Sequence, residues 1–305
     1  MQTTNRLLMV SPVGFAFNEQ TAGNNAFQQR TGGEAAWAIQ QRAREEFDGF
    51  VAMLRKEGVE VDVIEDTLMP STPDSIFPNN VFSTHNMNGE RTLVWYPMFA
   101  PNRRQERSKL HKYLDSFTFD RVVDLTPWES KGQFLEGTGS MVLDREHCIA
   151  YACRSPRTDD EVLRTWAETM GYTTCRVDAV DANGVPVYHT NVMMHVGSKL
   201  AAVCLDAIRD VQQRRQLTDT LEATCKQVVD ITLEQMNHFA GNMLEVRGKD
   251  GMPLLVMSAT AKRALNERQT DALSRLTRIV APEIATIETA GGGSARCMMA
   301  EIYNG

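Results

Sequence analysis

The sequence lacks long hydrophobic runs and an excess of basic residues, and each absence excludes a class of function. No stretch of the 305 residues approaches the ~20 apolar residues of a membrane-spanning helix. The formal net charge is -7, whereas domains that bind nucleic acids usually carry a basic stripe. The first ten residues contain one arginine and no long apolar run, so no secretory signal is expected. These features predict a cytoplasmic protein with neither a nucleic-acid nor a membrane partner.

Cysteine and histidine are also scarce, and their spacing excludes the common metal sites. The six cysteines form no C-x-x-C pair, and the six histidines form no pair at zinc-site spacing. In a chain of this size without a signal sequence, free thiols are expected rather than disulfides. The sequence therefore predicts no metal ion, and the chemistry described below needs no organic cofactor.

The residues that are present have the composition of a globular domain. Hydrophobic residues make up 42% of the chain and charged residues 23%, which is ordinary for a soluble fold. A chain of this length can bury a substantial core. We therefore expect residues 1–305 to form a single domain.

A pattern of two strands, a helix and a third strand recurs along the chain. The alternative is a generic α/β domain whose spacing is regular by chance. We favour the repeat, which predicts an α/β fold of five ββαβ modules around a pseudo-five-fold axis. Four modules are predicted at 81–85, 91–98, 103–116 and 121–125; at 139–143, 148–153, 158–170 and 173–177; at 191–205, 207–226 and 228–231; and at 243–246, 254–257, 261–276 and near 279. The fifth is split across the termini, with strands at 297–303 and 7–10, a helix at 33–56 and a strand at 59–64.

Local residues refine two of the predicted helices. Thr158, with Glu161 three residues later, has the pattern of a capping box at the start of the second module's helix. The helix at 33–56 carries several large apolar side chains, including Trp37 and Phe47. Such side chains are expected to pack the helix onto the sheets.

One polar residue lies just before or at the first strand of each module, at nearly equal intervals. If the modules surround an axis, these side chains converge on one central site. His195 competes with the selected histidine, but its apolar neighbours favour a place in a core strand. The converging residues would be Asn80, Glu136, His189, Asn242 and Cys297.

These residue types suit nucleophilic catalysis. Cys297 follows three glycines, which allow close approach to a ligand, and the neighbouring Arg296 would favour its thiolate. A thiolate is a strong nucleophile near neutral pH. His189 could transfer protons to the leaving group and from water. Glu136 could orient the imidazole or bind a cationic substrate.

The chain resembles the guanidino-group-modifying enzymes, which include dimethylarginine dimethylaminohydrolases, arginine deiminases, amidinotransferases and citrulline-utilisation hydrolases. The similarity rests on the stretch Phe-Leu-Glu-Gly at 134–137, on His189 opening a strand, and on the glycine-rich turn before Cys297. It implies a pentein-type propeller of five ββαβ modules. It also implies that Cys297, His189 and Glu136 are catalytic.

Further motifs carry the same resemblance into the substrate site. The loop at 74–80, the Ala-Pro-x-Arg-Arg stretch at 100–104 and the Ser-x-Arg-Thr stretch at 155–158 match family patterns. The resemblance implies that Arg103 and Arg157 hold the substrate's α-carboxylate, since a guanidinium binds a carboxylate bidentately. The substrate-binding candidates are Asp74, Phe77, Asn79, Asn80, Arg103, Arg157, Asn191 and Asn242.

Departures from the family pattern bear on the substrate. Asn79 and Asn80 stand where members acting on a guanidinium often place two carboxylates, and Asn191 stands where arginine deiminases have aspartate. A buried cation needs compensating negative charge, whereas an amide suits a neutral ureido group. This favours citrulline as the substrate, giving ornithine, ammonia and carbon dioxide.

Other functions remain open at this point. Asp74 and Glu136 keep arginine as a candidate, through an arginine deiminase or dihydrolase reaction, followed by dimethylarginine hydrolysis and by amidino transfer. A non-catalytic amino-acid-binding protein on the same fold is an alternative of a different class, and a Cys–His protease lacks a recognisable signature. The expected partner is a small amino-acid substrate. A homodimer is open, because small enzymes of this kind are often symmetric dimers.

Overall fold

The fold was examined in a computed structural model that describes residues 1–30 and 35–303. Its strands within these ranges form five three-stranded sheets. The strands are β1 (Arg6–Ser11), β2 (Glu60–Glu65), β3 (Phe82–Met87), β4 (Glu90–Trp95), β5 (Arg121–Asp124), β6 (Met141–Asp144), β7 (Ile149–Cys153), β8 (Thr173–Val177), β9 (Met194–Val196), β10 (Leu200–Val203), β11 (Gln227–Asp230), β12 (Leu244–Arg247), β13 (Pro253–Val256), β14 (Arg278–Val280) and β15 (Ala300–Glu301). The helices are α1 (Ala36–Lys56), α2 (Pro101–Arg104), α3 (Glu106–Leu114), α4 (Gly137–Ser140), α5 (Asp160–Met170), α6 (Thr190–Met193), α7 (Val211–Ala223), α8 (Leu233–Asn237), α9 (Ala259–Ala264), α10 (Glu267–Ser274) and α11 (Ala285–Gly291).

All five sheets have the same topology. A central strand pairs antiparallel with the first strand of its module and parallel with the third, as in the order β3-β4-β5. The parallel pair is joined by a helical crossover, which a parallel connection requires. The five-module prediction is therefore confirmed, including the module that is split across the termini.

That split module joins the two ends of the chain. β1 pairs antiparallel with β15, with Leu7 opposite Glu301 and Leu8 opposite Ala300, and parallel with β2. The first strands also approach one another between sheets: β15 lies beside β3, and β9 lies beside both β6 and β12. The short first strands therefore gather around the centre of the fold.

The β3–β4 hairpin shows how local sequence sets the register. Its turn is shorter than the predicted 86–90, because strand pairing continues to Met87 and Glu90. Asn88 and Gly89 have φ angles of 55° and 90°, and a two-residue turn with positive φ at both positions favours this residue pair.

Several predicted helix boundaries were wrong. The helix predicted at 103–116 is divided into α2 and α3, and the one at 261–276 into α9 and α10, where Asn266 caps the second helix. The cap of α5 is Asp159, whose carboxylate accepts hydrogen bonds from the Glu161 and Val162 backbones, so the predicted Thr158 capping box is absent from this described segment. Aspartate competes well with threonine for this position.

Helix α1 packs onto the first sheet through an apolar stripe. Phe47, Phe50 and Leu54 are buried, whereas Trp37 is 72% exposed and lies outside the core. Burial of one such phenylalanine contributes about 1.5–3 kcal/mol. The first residues predicted for this helix, at 33–34, lie outside the described residues. No described helix combines the length and apolar character needed to cross a membrane.

The predicted first strands begin two or three residues too early in three modules. A helical turn occupies the start of these segments: α4 precedes β6, α6 precedes β9, and a turn at 295–298 precedes β15. The polar residues singled out from the sequence lie on or beside these turns. Each module thus presents its polar side chain from a turn rather than from a strand.

Candidate active site

The structure brings the predicted site residues into one buried region. Asn80 ends a 3-10 turn, Glu136 and His189 directly precede α4 and α6, and Asn242 directly precedes the end of the loop into β12. Cys297 is only 3% exposed. The sequence segment from His189 to Asn191 links the imidazole to the surroundings of the thiol.

Two amides contact the Cys297 thiol. Asn242 Nδ2 lies 3.3 Å and Asn191 Nδ2 lies 3.7 Å from Sγ. The orientation of the Asn242 amide is set because its Oδ1 accepts a hydrogen bond of 2.9 Å from the Arg296 backbone N–H. Donors directed at sulfur favour the thiolate over the thiol. Asn242, which also resembles a simple turn amide in the sequence, is therefore part of the thiol site.

Arg296 does not have the surroundings expected from its position in the sequence. Its guanidinium donates to Glu301 Oε2 and to the Met299 carbonyl, both at 2.8 Å. The expectation that this side chain stabilises the thiolate was therefore wrong, because a buried carboxylate holds it. Its backbone N–H contributes instead, by orienting Asn242.

Glu136 and His189 form a buried carboxylate–imidazole pair. His189 Nε2 lies 2.8 Å from Glu136 Oε2. Glu136 also accepts from the Phe99 backbone at 3.0 Å and from Arg157 at 3.3 Å. Burial alone would raise the pKa of Glu136, but the Arg157 charge and the His189 hydrogen bond hold this pKa below its usual range. Glu136 is thus an ionised acceptor, and Nε2 of His189 carries the proton that it donates.

His189 is consequently neutral, with its free lone pair on Nδ1. Burial lowers the pKa of His189 to about 4, against the opposing effect of Glu136. Its Nδ1 faces Gly139, where an added Cβ would lie 2.8 Å from that nitrogen. A neutral imidazole with a bare nitrogen can accept a proton and return it, which is the requirement for general acid–base catalysis.

Asn80 lies on the other side of Gly139 and has a defined orientation. Its Oδ1 accepts a 2.8 Å hydrogen bond from Arg103 Nη1. Its Nδ2 is therefore directed towards Gly139, where an added Cβ would lie 2.3 Å from it. This Nδ2 is buried and has no hydrogen-bond partner among residues 1–30 and 35–303. It is a donor available to a bound molecule.

Asn79 presents the opposite chemistry. Its Nδ2 donates to Thr138 Oγ1 at 3.2 Å, while its Oδ1 is buried without a partner in the described part of the chain. Adjacent Asn79 and Asn80 thus offer one free acceptor and one free donor.

Both arginines predicted to hold a carboxylate are engaged with the protein. Arg103 donates to Glu106 at 2.9 and 3.1 Å and to the Phe77 carbonyl at 3.0 Å. Arg157 donates to Glu136 and to the Thr21 carbonyl, both at 3.3 Å, and to Asn24. In this conformation their guanidinium groups organise the site from within. Their contact with a substrate carboxylate stays a prediction.

The N-terminal loop at 12–30 covers this region, and sequence reasoning did not select it. Asn18 Nδ2 and Thr21 Oγ1 donate to Asp74 Oδ2 at 2.8 and 3.2 Å. The other oxygen, Asp74 Oδ1, is buried and unpartnered within the described residues. Burial raises the pKa of Asp74, although the Arg103 charge opposes the effect. The cluster of asparagine, glutamine and threonine in this loop was the available signal.

The glycine run before Cys297 receives an aromatic ring. An added Cβ at Gly291 or at Gly293 would lie 2.8 Å from the Phe77 ring. The glycines therefore allow Phe77 to approach the nucleophile turn, where the sequence suggested the approach of a ligand. Glu288 Oε1 also supports this turn through a 2.6 Å bond from Ser294 Oγ, and Ser294 and Glu288 were not singled out from the sequence.

Comparison with known families identifies the chain. A family model described as N,N dimethylarginine dimethylhydrolase, eukaryotic, matches residues 11–304. The chain belongs to this family. The dimethylarginine dimethylhydrolase family is part of the guanidino-modifying pentein superfamily, as the sequence motifs predicted. Its members are hydrolases that act on guanidino carbon–nitrogen bonds through a cysteine, and this chain is an enzyme of that class. A comparison with curated proteins gives no match.

Solved structures show the same pentein fold. The N-terminal domain of ArgZ, an arginine dihydrolase from the ornithine-ammonia cycle in cyanobacteria, was solved bound to substrate and has a TM-score of 0.75 at 17% identity, with 97% of both chains covered. AgrE, in a complex of its C264A mutant with L-arginine, has a TM-score of 0.76 at 16% identity over 98% of this chain and 40% of that chain. A dimethylarginine dimethylaminohydrolase adduct with 4-chloro-2-hydroxymethylpyridine has a TM-score of 0.67 at 14% identity, with 99% and 100% covered.

The lengths of these proteins differ. The chain spans about two fifths of full-length ArgZ and AgrE, with 41% and 40% of them covered. The identities support the fold, while the family match supports the reaction class. Which amino acid this dimethylarginine dimethylhydrolase family member hydrolyses depends on its own site residues.

Proposed function

We propose that this enzyme hydrolyses the ureido group of citrulline, giving ornithine, ammonia and carbon dioxide. The observation that carries the proposal is the Asn80 amide, whose Nδ2 is buried without a partner and directed at the catalytic region by Arg103. A ureido oxygen can accept a hydrogen bond from this donor. A guanidinium has only donors, so it would leave the Asn80 N–H unpaired. A buried donor without a partner costs about 1–3 kcal/mol.

Free acceptors complement this donor. Asn79 Oδ1 and Asp74 Oδ1 are buried and unpartnered in the described residues. A ureido group carries N–H groups as well as its oxygen, so one donor and two acceptors match it. In this proposal Phe77 supports the site through the glycine run, while Arg103 and Arg157 receive the substrate's α-carboxylate after the N-terminal loop rearranges.

The reaction begins at the thiol. Cys297 Sγ, held by the Asn191 and Asn242 amides, loses its proton to His189 Nδ1 and attacks the ureido carbon. The Asn80 N–H stabilises the negative charge that develops on the ureido oxygen. The tetrahedral intermediate collapses as imidazolium His189 protonates the departing amine. This step leaves a thiocarbamate on Cys297.

The second half-reaction consumes water. Neutral His189 Nδ1 takes a proton from the water molecule, which attacks the same carbon. Sulfur leaves as the thiolate and is protonated by His189, which restores the resting enzyme. The released carbamate decomposes to carbon dioxide and the second amine. Glu136 keeps the proton of the neutral imidazole on Nε2 and stabilises the imidazolium when it forms.

Arginine is the second candidate substrate, and Asp74 favours it. A carboxylate oxygen without a partner is suited to a cationic guanidinium, and such a substrate would be converted by deiminase or dihydrolase chemistry. Hydrolysis of methylated arginines and amidino transfer come after it. A small amino-acid substrate, a cytoplasmic location and a homodimer belong to this proposal as expectations.

Product analysis tests the substrate class. Separate incubations with citrulline, arginine and dimethylarginine should give ornithine and ammonia from citrulline, with kcat/KM at least about tenfold above that for arginine. The same protein with Cys297 replaced by alanine is the control for contaminating activity. If none of the three substrates is consumed, the proposed class is wrong.

Asn80→Asp tests the donor. The carboxylate keeps an acceptor for Arg103 and replaces the N–H with an acceptor, so kcat/KM for citrulline should fall and the citrulline-to-arginine ratio should decrease at least about tenfold. Asn79→Asp is the matched control, because it adds the same charge next door while its free atom is already an acceptor. Equal ratios in both variants and the wild type would count against the donor's role.

A further inference from the structure

A small polar cavity lies beside Asn191 and outside the substrate-binding group proposed above. Its volume is about 20 Å³, which is enough for a single water molecule. The substrate candidates Asn80 and Asp74 do not line it. The lining includes Asn191, His195, Arg145, Glu245, Arg296 and Glu301.

Two buried acceptors in this lining have no partner among the described residues. Asn191 Nδ2 contacts the Cys297 thiol, so its Oδ1 is directed away from sulfur, and this Oδ1 is unpartnered. His195 Nε2 is likewise buried and unpartnered in the same part of the chain. Buried polar atoms of this kind normally bind an ordered water when the cavity has room for one.

The hydrogen-bonding state of His195 makes Nε2 an acceptor. Burial, reinforced by the Arg296 charge, lowers the pKa of His195 to about 3, so the ring is neutral near pH 7. The ring also bonds with the Met243 backbone, and this bond raises the pKa, which identifies the backbone partner as an acceptor. A neutral ring that donates from Nδ1 keeps its lone pair on Nε2.

We propose that a water molecule in this cavity donates one hydrogen bond to His195 Nε2 and the other to Asn191 Oδ1. Arg145 Nη2, a third unpartnered buried atom in the described lining, can donate to the same water. The bridge fixes the Asn191 amide with its N–H towards Cys297. His195 is thereby a positioning residue for the nucleophile, acting through water and Asn191.

The charges around the cavity are paired, which separates this effect from a change in local charge. Arg145 and Arg296 both pair with Glu301, at 3.4 and 2.8 Å. Glu245 accepts from the Ser198 hydroxyl at 2.6 Å and from the Ser198 backbone at 3.1 Å. Replacing neutral His195 leaves these charges in place. Without the bridge the Asn191 amide can rotate and direct its oxygen at sulfur, which disfavours the thiolate.

Alkylation of Cys297 across pH 5–10, followed by peptide mass spectrometry, measures the effect without any substrate. His195→Leu should slow alkylation about tenfold at pH 7 and shift the profile to higher pH. Asn191→Leu should do the same, and the double variant should be no slower than either single variant. His195→Gln, which keeps an acceptor, should stay close to the wild type, as should His238→Leu at an exposed histidine.

Additive effects of the two leucine substitutions, or an unchanged profile for His195→Leu, would overturn the proposal. Thermal unfolding verifies that each variant is folded. A crystal structure of the wild-type protein is the second measurement and does not depend on any variant. Water density within hydrogen-bonding distance of both His195 Nε2 and Asn191 Oδ1 is expected. A cavity filled by side chains, or a water bonded to neither atom, would contradict the bridge.

Discussion

Replacing Cys297 with alanine should lower kcat on the preferred substrate by at least roughly 10³-fold, because the covalent step loses its nucleophile. The oxygen of Cys297→Ser is a weaker nucleophile beside the same amides, so a loss of similar size is expected. Steady-state release of ornithine and ammonia measures the effect. The fold should persist, since the substitution removes only one sulfur atom from a buried turn.

Substrate binding separates the loss of chemistry from the loss of the site. Citrulline should still raise the midpoint of thermal unfolding of Cys297→Ala, by mass action on the native state. Cys225→Ala is the matched control, because Cys225 is exposed and lies in the loop before β11. Near-normal turnover by Cys297→Ala, or an equal loss in the control, would reject Cys297 as the nucleophile.

Gly139→Ala should reduce kcat/KM by at least about 100-fold, although it adds a single methyl group. The new Cβ would lie 2.3 Å from Asn80 Nδ2 and 2.8 Å from His189 Nδ1, both shorter than any normal contact. Neither side chain can yield freely, because Arg103 holds Asn80 and Glu136 holds His189. A displacement of about 1 Å between reacting groups is enough for a loss of this size.

Gly49→Ala supplies the control for the glycine substitution. Gly49 lies within α1, and a Cβ there would meet no atom within 4 Å. Its activity should equal that of the wild type, and its free energy of unfolding should rise by about 0.5–1 kcal/mol through helix propensity. The two variants can be compared by kcat/KM and by denaturant unfolding. If Gly139→Ala is as active as Gly49→Ala, the catalytic groups are not packed against Gly139 as described.

Much of the fold follows from local patterns in the sequence. The period-two alternation and turn residues predicted the third strand of the second module at its observed limits, Thr173–Val177. Boundaries were less accurate where two local signals compete. Thr158 and Asp159 both suit a helix cap, and only the path of the chain from the preceding strand decides between them.

Spacing along the chain also predicted which side chains converge, because a module repeated around an axis returns equivalent positions to the centre. It did not predict their partners. The expected role for Arg296 failed since Glu301, on the neighbouring strand β15, binds its guanidinium. Asn18, Thr21 and Asn24 come from a loop outside the repeat, so no module position points to them.

By itself the sequence determined the five modules, the residues that meet at their centre and the enzyme family, because these depend on repetition and on short motifs. Tertiary structure alone decided which atom of each amide faces the site. An asparagine in a sequence is both donor and acceptor, and only Arg103 beside Asn80 or the Arg296 backbone beside Asn242 selects one. That choice carries the preference for a ureido oxygen, since it requires partners that are distant along the chain to lie within hydrogen-bonding distance.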